Sequence, residues 1–92
     1  CALALEEVIQ NLGERTVSAF LAETVSGATL AVYPPPPGYW PAIRKICDKY
    51  GVLLILDEVM CGMGRTGRWF ACQNEGVIPD LMTLGKGLAA GV

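Results

Sequence analysis

The sequence predicts an α/β fold built on a parallel sheet, and two observations carry that prediction. Helix-like and strand-like stretches alternate along the 92 residues, which is the order of a sheet whose strands are joined by crossover helices. The stretch "VLLIL", Val52 to Leu56, is apolar throughout with no alternation, the pattern of a parallel strand covered on both faces.

Each element can be justified in turn. Leu5, Val8, Ile9 and Leu12 recur at i, i+3, i+4 and i+7 and Gly13 follows as a stop, so residues 3–12 read as an amphipathic helix. "VSAFLAE", Val17 to Glu23, reads as a short buried strand. The link "TVSGATLAVYPPPPG" contains Pro34 to Pro37, which cannot donate to a helix or a central ladder. Pro34 and Pro37 match the P-x-x-P of an SH3 ligand, but inside a globular segment they read better as an ordered approach to a helix. Pro41 near a first turn, the stripe Trp40, Ile43, Cys47 and Tyr50, and Gly51 beyond the end predict a helix over 39–50. "VLLIL" follows at once. A short helical stretch around Phe70 to Glu75 then leads through "VIPD" to a third strand, "LMTL", Leu81 to Leu84. So few helices cannot cover both faces of three strands, so apolar surface is left for a further part of the protein to cover.

Composition narrows the function classes. About half of the residues are apolar and the net charge is −2, with basic residues scattered singly, so neither a nucleic acid nor an anionic membrane finds a basic stripe. The run "GVLLIL" falls far short of the roughly 20 residues that span a bilayer. Four cysteines without a C-x-x-C pair, and no histidine, argue against a metal site. Reduced, mostly buried thiols suit the cytoplasm, with an organelle left open because the N-terminus reads as missing. The start at Cys1 rather than Met, and the end at Val92 directly after "GKGLAAG", lead to the expectation of a fragment, incomplete at both ends.

Charges gather where strands end. In open parallel sheets, ligands bind at the carboxyl ends of the strands. Glu23 ends the first predicted strand, Asp57 ends the second, and Lys86 lies two residues after the third. With neighbouring strands about 4.8 Å apart, the two carboxylates and the amine could converge within roughly 10 Å. Taken singly, an acid after a strand reads as a helix cap or a solvated loop residue and a lysine between glycines as solvated; together they read as a site, or as a salt bridge.

Three cofactor readings compete for these residues. Gly62, Gly64 and Gly67 in "LDEVMCGMGRTG" spell G-x-G-x-x-G, the dinucleotide fingerprint, but there the first glycine closes the strand itself and an acid ends the next strand. Here "DEVMC" intervenes, and Asp80 precedes "LMTL", at the wrong edge of the sheet. "VLLILDE" also imitates a Walker B strand, yet no G-x-x-x-x-G-K-[ST] precedes it. The third reading uses Asp57 and Lys86 together. A lysine amine can form a Schiff base with the aldehyde of pyridoxal phosphate, while a carboxylate keeps the ring nitrogen protonated so that the ring draws electrons from a substrate carbanion.

At these residues the chain resembles the class III aminotransferases, pyridoxal-phosphate enzymes of fold type I. "LLILDEVMCGMGRTGRWFACQNEGVIPDLMTLGKGLAAG" matches their signature of hydrophobic strand, D-E-V, G-x-G-R-T-G, aromatic, P-D and T-x-x-K-G nearly without gaps. Weaker similarity runs back through "AETVSGATLAVYPPPPGYWPAIRKICDKYGV". The resemblance implies that residues 1–92 are the central segment of one large domain, a partial three-layer α/β/α arrangement. It implies ping-pong transfer of an amino group between an amine or amino acid and a 2-oxo acid, in an enzyme that is a homodimer or larger.

Residue by residue, Lys86 matches the lysine that forms the Schiff base and then shuttles the proton between substrate α-carbon and cofactor C4′. Asp57 matches the acid on the pyridine nitrogen. Val59 matches the aliphatic residue on one ring face, where ordinary core packing is the competing explanation, and Glu23 matches the acid of an E-P-x-x-G segment near the ring hydroxyl. Three positions depart from the family's pattern. Met60 stands where many members have glutamine, Thr24 replaces the usual proline, and Ala28 occupies a position where 4-aminobutyrate and ornithine aminotransferases carry glutamate. These departures point toward an amine- or ω-amino-acid:pyruvate enzyme. The family's phosphate nest, second ring-stacking residue and substrate-carboxylate arginine match nothing in residues 1–92, so the chain alone is expected to be inactive. The competing expectation is a truncated, non-catalytic fragment. Arg65 and Thr66 read as loop or subunit-contact residues.

Overall fold

Helix α1 (Ala2–Leu12), strand β1 (Ala19–Glu23), helix α2 (Tyr39–Tyr50), strand β2 (Leu53–Asp57) and strand β3 (Leu81–Thr83) alternate along the chain, with 3-10 helices at Ala71–Glu75 and Lys86–Ala89. The computed structural model describes residues 2–27 and 32–89. The sheet order is β1-β2-β3 and both pairings are parallel, so the fold class is the expected one.

Register decides what each strand shows to which side. Phe20 and Ala22 align with Leu54 and Leu56, and Leu56 with Met82. Because side chains alternate along a strand, these residues share one face. That face is the core: Leu54 and Leu56 are fully buried beside Ile9, Trp40, Ile43, Ile46 and Cys47, with Phe20, Ala22 and Met82 packed against them. Burying a leucine of this kind contributes roughly 1.5–3 kcal/mol. The opposite face carries Leu21, Ile55 and Leu81 in register and, at its carboxyl end, Glu23, Asp57 and Thr83.

That second face is the apolar surface expected to be left uncovered. Leu21 is 60 % exposed, Leu81 55 % and Leu53 45 %; among the described residues no helix covers them. The run "VLLIL" is apolar as a strand buried on both faces requires, but this chain supplies the cover for only one.

Helix α2 fills the predicted span because its ends are set by glycines. Gly38 and Gly51 both adopt left-handed backbone, at φ 82° and 67°, a conformation in which a side chain is costly. Val52 N–H then bonds the Cys47 carbonyl at 2.9 Å, closing the helix and feeding the chain straight into β2. Helix α1 buries only Ile9; Val8 and Leu12 of its predicted stripe are half or more exposed. It leans on α2 through a polar seam in which Lys49 Nζ and the Tyr50 hydroxyl each donate to Glu6 Oε2 at 2.9 Å. The lysine and then the tyrosine pull the Glu6 carboxyl below its usual value.

Strand boundaries move by one or two residues, β2 opening at Leu53 rather than Val52 and β3 closing at Thr83 rather than Leu84. β1 begins at Ala19 rather than Val17, since the Leu53 N–H bond to the Ser18 carbonyl (2.9 Å) is where the ladder starts. β2 runs through Asp57, which ends it, because Asp57 pairs with Glu23 on one side and Thr83 on the other. The pleat of the sheet, not a loop, therefore aims the Asp57 side chain.

Candidate functional site

The carboxyl edge of the sheet collects the predicted residues as the ladder dictates. Glu23, Asp57 and Thr83 are register partners on three adjacent strands. Asp57 Oδ1 accepts the Val59 N–H at 2.9 Å, an Asx turn that orients the carboxylate and bends the chain out of the sheet. Glu23 Oε2 accepts the Gly27 N–H at 3.1 Å. Lys86 follows Thr83 by three residues and is exposed, with φ 52°, a left-handed conformation uncommon for a residue with a side chain. The ion pairs among the described residues are Arg44–Asp48, Arg44–Asp80 and Lys49–Glu6. None involves Glu23, Asp57 or Lys86, so the salt-bridge explanation of the cluster fails there.

Val59 joins the second strand's exit to the third's. A β-carbon added at Gly85 would lie 3.3 Å from Val59 Cγ1, so a larger residue there would press Val59 aside. Val59 and Gly85 face a cleft of about 380 Å³ that Gly62, Met63, Gly64 and Arg65 complete. A second cleft of about 250 Å³ lies beside Glu23, walled by Tyr33, Pro36, Tyr39 and Trp40. Met60 packs on Gly27, where an added β-carbon would collide with its sulfur. The Ala28 position lies outside the described residues.

The glycines form turns. Gly64 and Gly67 sit at φ 92° and 94°, Gly67 N–H bonds the Gly64 carbonyl at 3.1 Å, and residues 59–70 contain turns and bends but no helix. A dinucleotide loop needs a helix opening on its third glycine, so the fingerprint fails on geometry as well as on spacing. Thr66 accepts a hydrogen bond from Asn74 Nδ2 at 3.0 Å, which fits a loop role. Asp80 lies at the amino end of β3: its N–H bonds the Leu54 carbonyl and its carboxylate takes the Leu54 N–H at 2.7 Å and Arg44 at 3.0 Å.

One important residue escaped sequence reasoning. Glu58 is 1 % exposed, and its carboxylate accepts hydrogen bonds from the Thr24 hydroxyl at 2.6 Å, the Ala71 N–H at 2.6 Å and the Cys72 N–H at 2.9 Å. All three partners donate, which suits an ionised carboxylate that can only accept. Burial and then the Glu58 charge push the adjacent Cys72 thiol up to about 11. Cys47 and Cys61 are likewise buried and free, their thiols raised chiefly by burial, so none of the three favours the reactive thiolate. The signal available in the sequence was an acid directly after a buried strand; its partners, 13 to 34 residues away, are two backbone amides and a threonine.

Known proteins share this arrangement. A family model described as "Aminotransferase class-III" matches residues 1–92. An aminotransferase of Gibberella zeae is 58 % identical over 87 residues, covering 95 % of this chain and 17 % of that protein. The putrescine–pyruvate aminotransferase of Pseudomonas aeruginosa is 53 % identical over 87 residues, covering 95 % and 19 %. Among solved structures, the omega transaminase from Pseudomonas jessenii in complex with PMP superposes with a TM-score of 0.92 at 46 % identity, covering 98 % of this chain and 20 % of that one. The chain thus spans about a fifth of the length of the relatives it matches. Strand order, acid-bearing strand ends and the match over the whole sequence agree, and the chain belongs to the class III aminotransferase family.

Proposed function

We propose that residues 1–92 are the central segment of one pyridoxal-phosphate-binding large domain, in an enzyme that moves an amino group between an amine or amino acid and a 2-oxo acid. The observation that carries it is the pairing of an acid and an amine at one sheet edge: Asp57 ends the central strand, and Lys86 follows its neighbour in exposed, left-handed backbone.

The residues present fit the cofactor. Asp57 Oδ2 accepts no hydrogen bond from the described residues, leaving an acceptor for a pyridinium N–H, and Gly85 leaves beside Val59 the space that a β-carbon would fill. When bound, pyridoxal phosphate supplies an aldehyde that captures amino groups and a ring that withdraws electrons. Lys86 is the amine that holds the aldehyde and, once free, carries a proton at its Nζ. Asp57 holds the ring nitrogen's proton, Val59 packs on a ring face and excludes water, and Glu23 lies toward the ring hydroxyl. With putrescine–pyruvate and taurine–pyruvate aminotransferases among the similar proteins, an amine donor with pyruvate as acceptor is the substrate pair we favour. We also assign a homodimeric or larger assembly, and the cytoplasm, where the three buried free thiols stay reduced.

Borohydride reduction of the full-length enzyme should leave the cofactor on Lys86; label on any other residue overturns the assignment. The 92-residue chain alone should not turn over substrate, since its second sheet face is bare. Measurable transamination by the purified 92-mer would sink that expectation.

A further inference from the structure

We propose that Thr24 and Glu58 are positioning residues for Asp57, a buried clamp that sets where the Asp57 carboxylate stands; this rests on the aminotransferase reading above. Asp57 and Glu58 are consecutive at the end of β2, so their side chains leave on opposite sides. Asp57 lies on the open face, and Glu58 is buried. A backbone rotation that reaims one reaims the other.

Glu58 is bonded to every segment that carries a member of the site. Its carboxylate takes the Thr24 hydroxyl, one residue beyond Glu23, at 2.6 Å. Its N–H donates to the Thr83 carbonyl at 3.0 Å, three residues before Lys86. Its carbonyl accepts the Gly62 N–H at 2.9 Å, which closes the turn that contains Val59. The Ala71 and Cys72 amides complete the set on the carboxylate. Thr24 is itself held, since Trp40 Nε1–H donates to its carbonyl at 3.0 Å from α2, with Trp40 only 1 % exposed. Hydrogen bonds to an ionised acceptor are short and strong, and in a buried network each one restricts its neighbours. The spacing of Glu23, Asp57 and the Lys86 backbone is thereby referred to one buried residue, Glu58, through its carboxylate and its backbone together, and Thr24 supplies the hydroxyl donor to that carboxylate.

The test uses the full-length holoenzyme and two variants. Thr24→Val keeps the shape and removes the hydroxyl; Thr24→Ser keeps the hydroxyl. With Thr24→Val, kcat should fall about tenfold, a fraction of the hundredfold that a 1 Å misplacement costs, with KM little changed. The midpoint of the pH titration of the bound cofactor's visible absorbance should move with it, because the contact of Asp57 with the ring nitrogen is altered. Thr24→Ser should recover most of both changes. Should Thr24→Val not fold, Thr24→Ala takes the same measurements. A variant that lowers the urea midpoint but keeps the parental kcat and titration midpoint makes the clamp merely structural and overturns the proposal, as does failure of Thr24→Ser to recover them. Borohydride labelling in the same samples separates the two levels: label away from Lys86 defeats the aminotransferase assignment whatever Thr24 does.

Discussion

At the amino end of the sheet, Arg44 reaches Asp48 at 2.8 Å and Asp80 at 3.0 Å, and Asp80 also holds the Leu54 N–H at 2.7 Å. At the carboxyl end, Glu23 and Asp57 each accept one local backbone N–H and, with Lys86, enter none of the ion pairs among the described residues. With the buried Glu58 set aside, both ends present two acids and a base, and only the amino end spends them on each other. Charges that satisfy one another hold strands together; charges left with free lone pairs and protons are available to a ligand. The lesson is that a charged strand end is informative when it is unpaired, not merely when it is charged.

The same substitution at the two ends should separate these uses. In the full-length enzyme, Asp57→Asn should lower kcat on the order of 10²-fold, as loss of an electrostatic partner to a reacting group does, while the urea midpoint stays near the parent's. A parental kcat in steady-state assays would dissolve the distinction. Glu58→Gln tests the exception, an acid at the carboxyl end that is saturated like those at the amino end. Replacing one acceptor oxygen by an amide that faces donors should cost roughly 1–3 kcal/mol in urea unfolding. The smallest effect belongs to Asp80→Asn. The Leu54 amide and then Arg44 hold the Asp80 carboxyl below its ordinary 3.8, so its contribution is complete above that value and is lost as pH falls through the lower folded one. The Asn variant should therefore show a flatter acid limb in urea midpoints measured between about pH 5 and pH 2, with kcat at neutral pH unchanged.

What the sequence could express was local. Helix α2 was legible to the residue because Pro41, an apolar stripe and Gly51 all act within one element, and Asp57 with Lys86 stood out because each follows a strand. The bare sheet face was legible only as a shortage of helices, since an apolar run looks the same whichever chain segment covers it and does not say which face stays open. The weak burial of α1 was hidden for a related reason: periodicity marks which residues share a face but not whether α2 or solvent meets it. Glu58 was missed because its role depends on where the Ala71 and Cys72 amides arrive, and a backbone amide has no letter in a sequence.

Lys86 also raises a matter of trade-offs. At φ 52° any residue with a β-carbon costs on the order of 1–2 kcal/mol, and glycine would remove that cost. Selection for stability alone would place glycine there, extending "GKG" to three glycines in a row. A lysine in that conformation gives up durability, and the Schiff-base role proposed for Lys86 would account for the exchange.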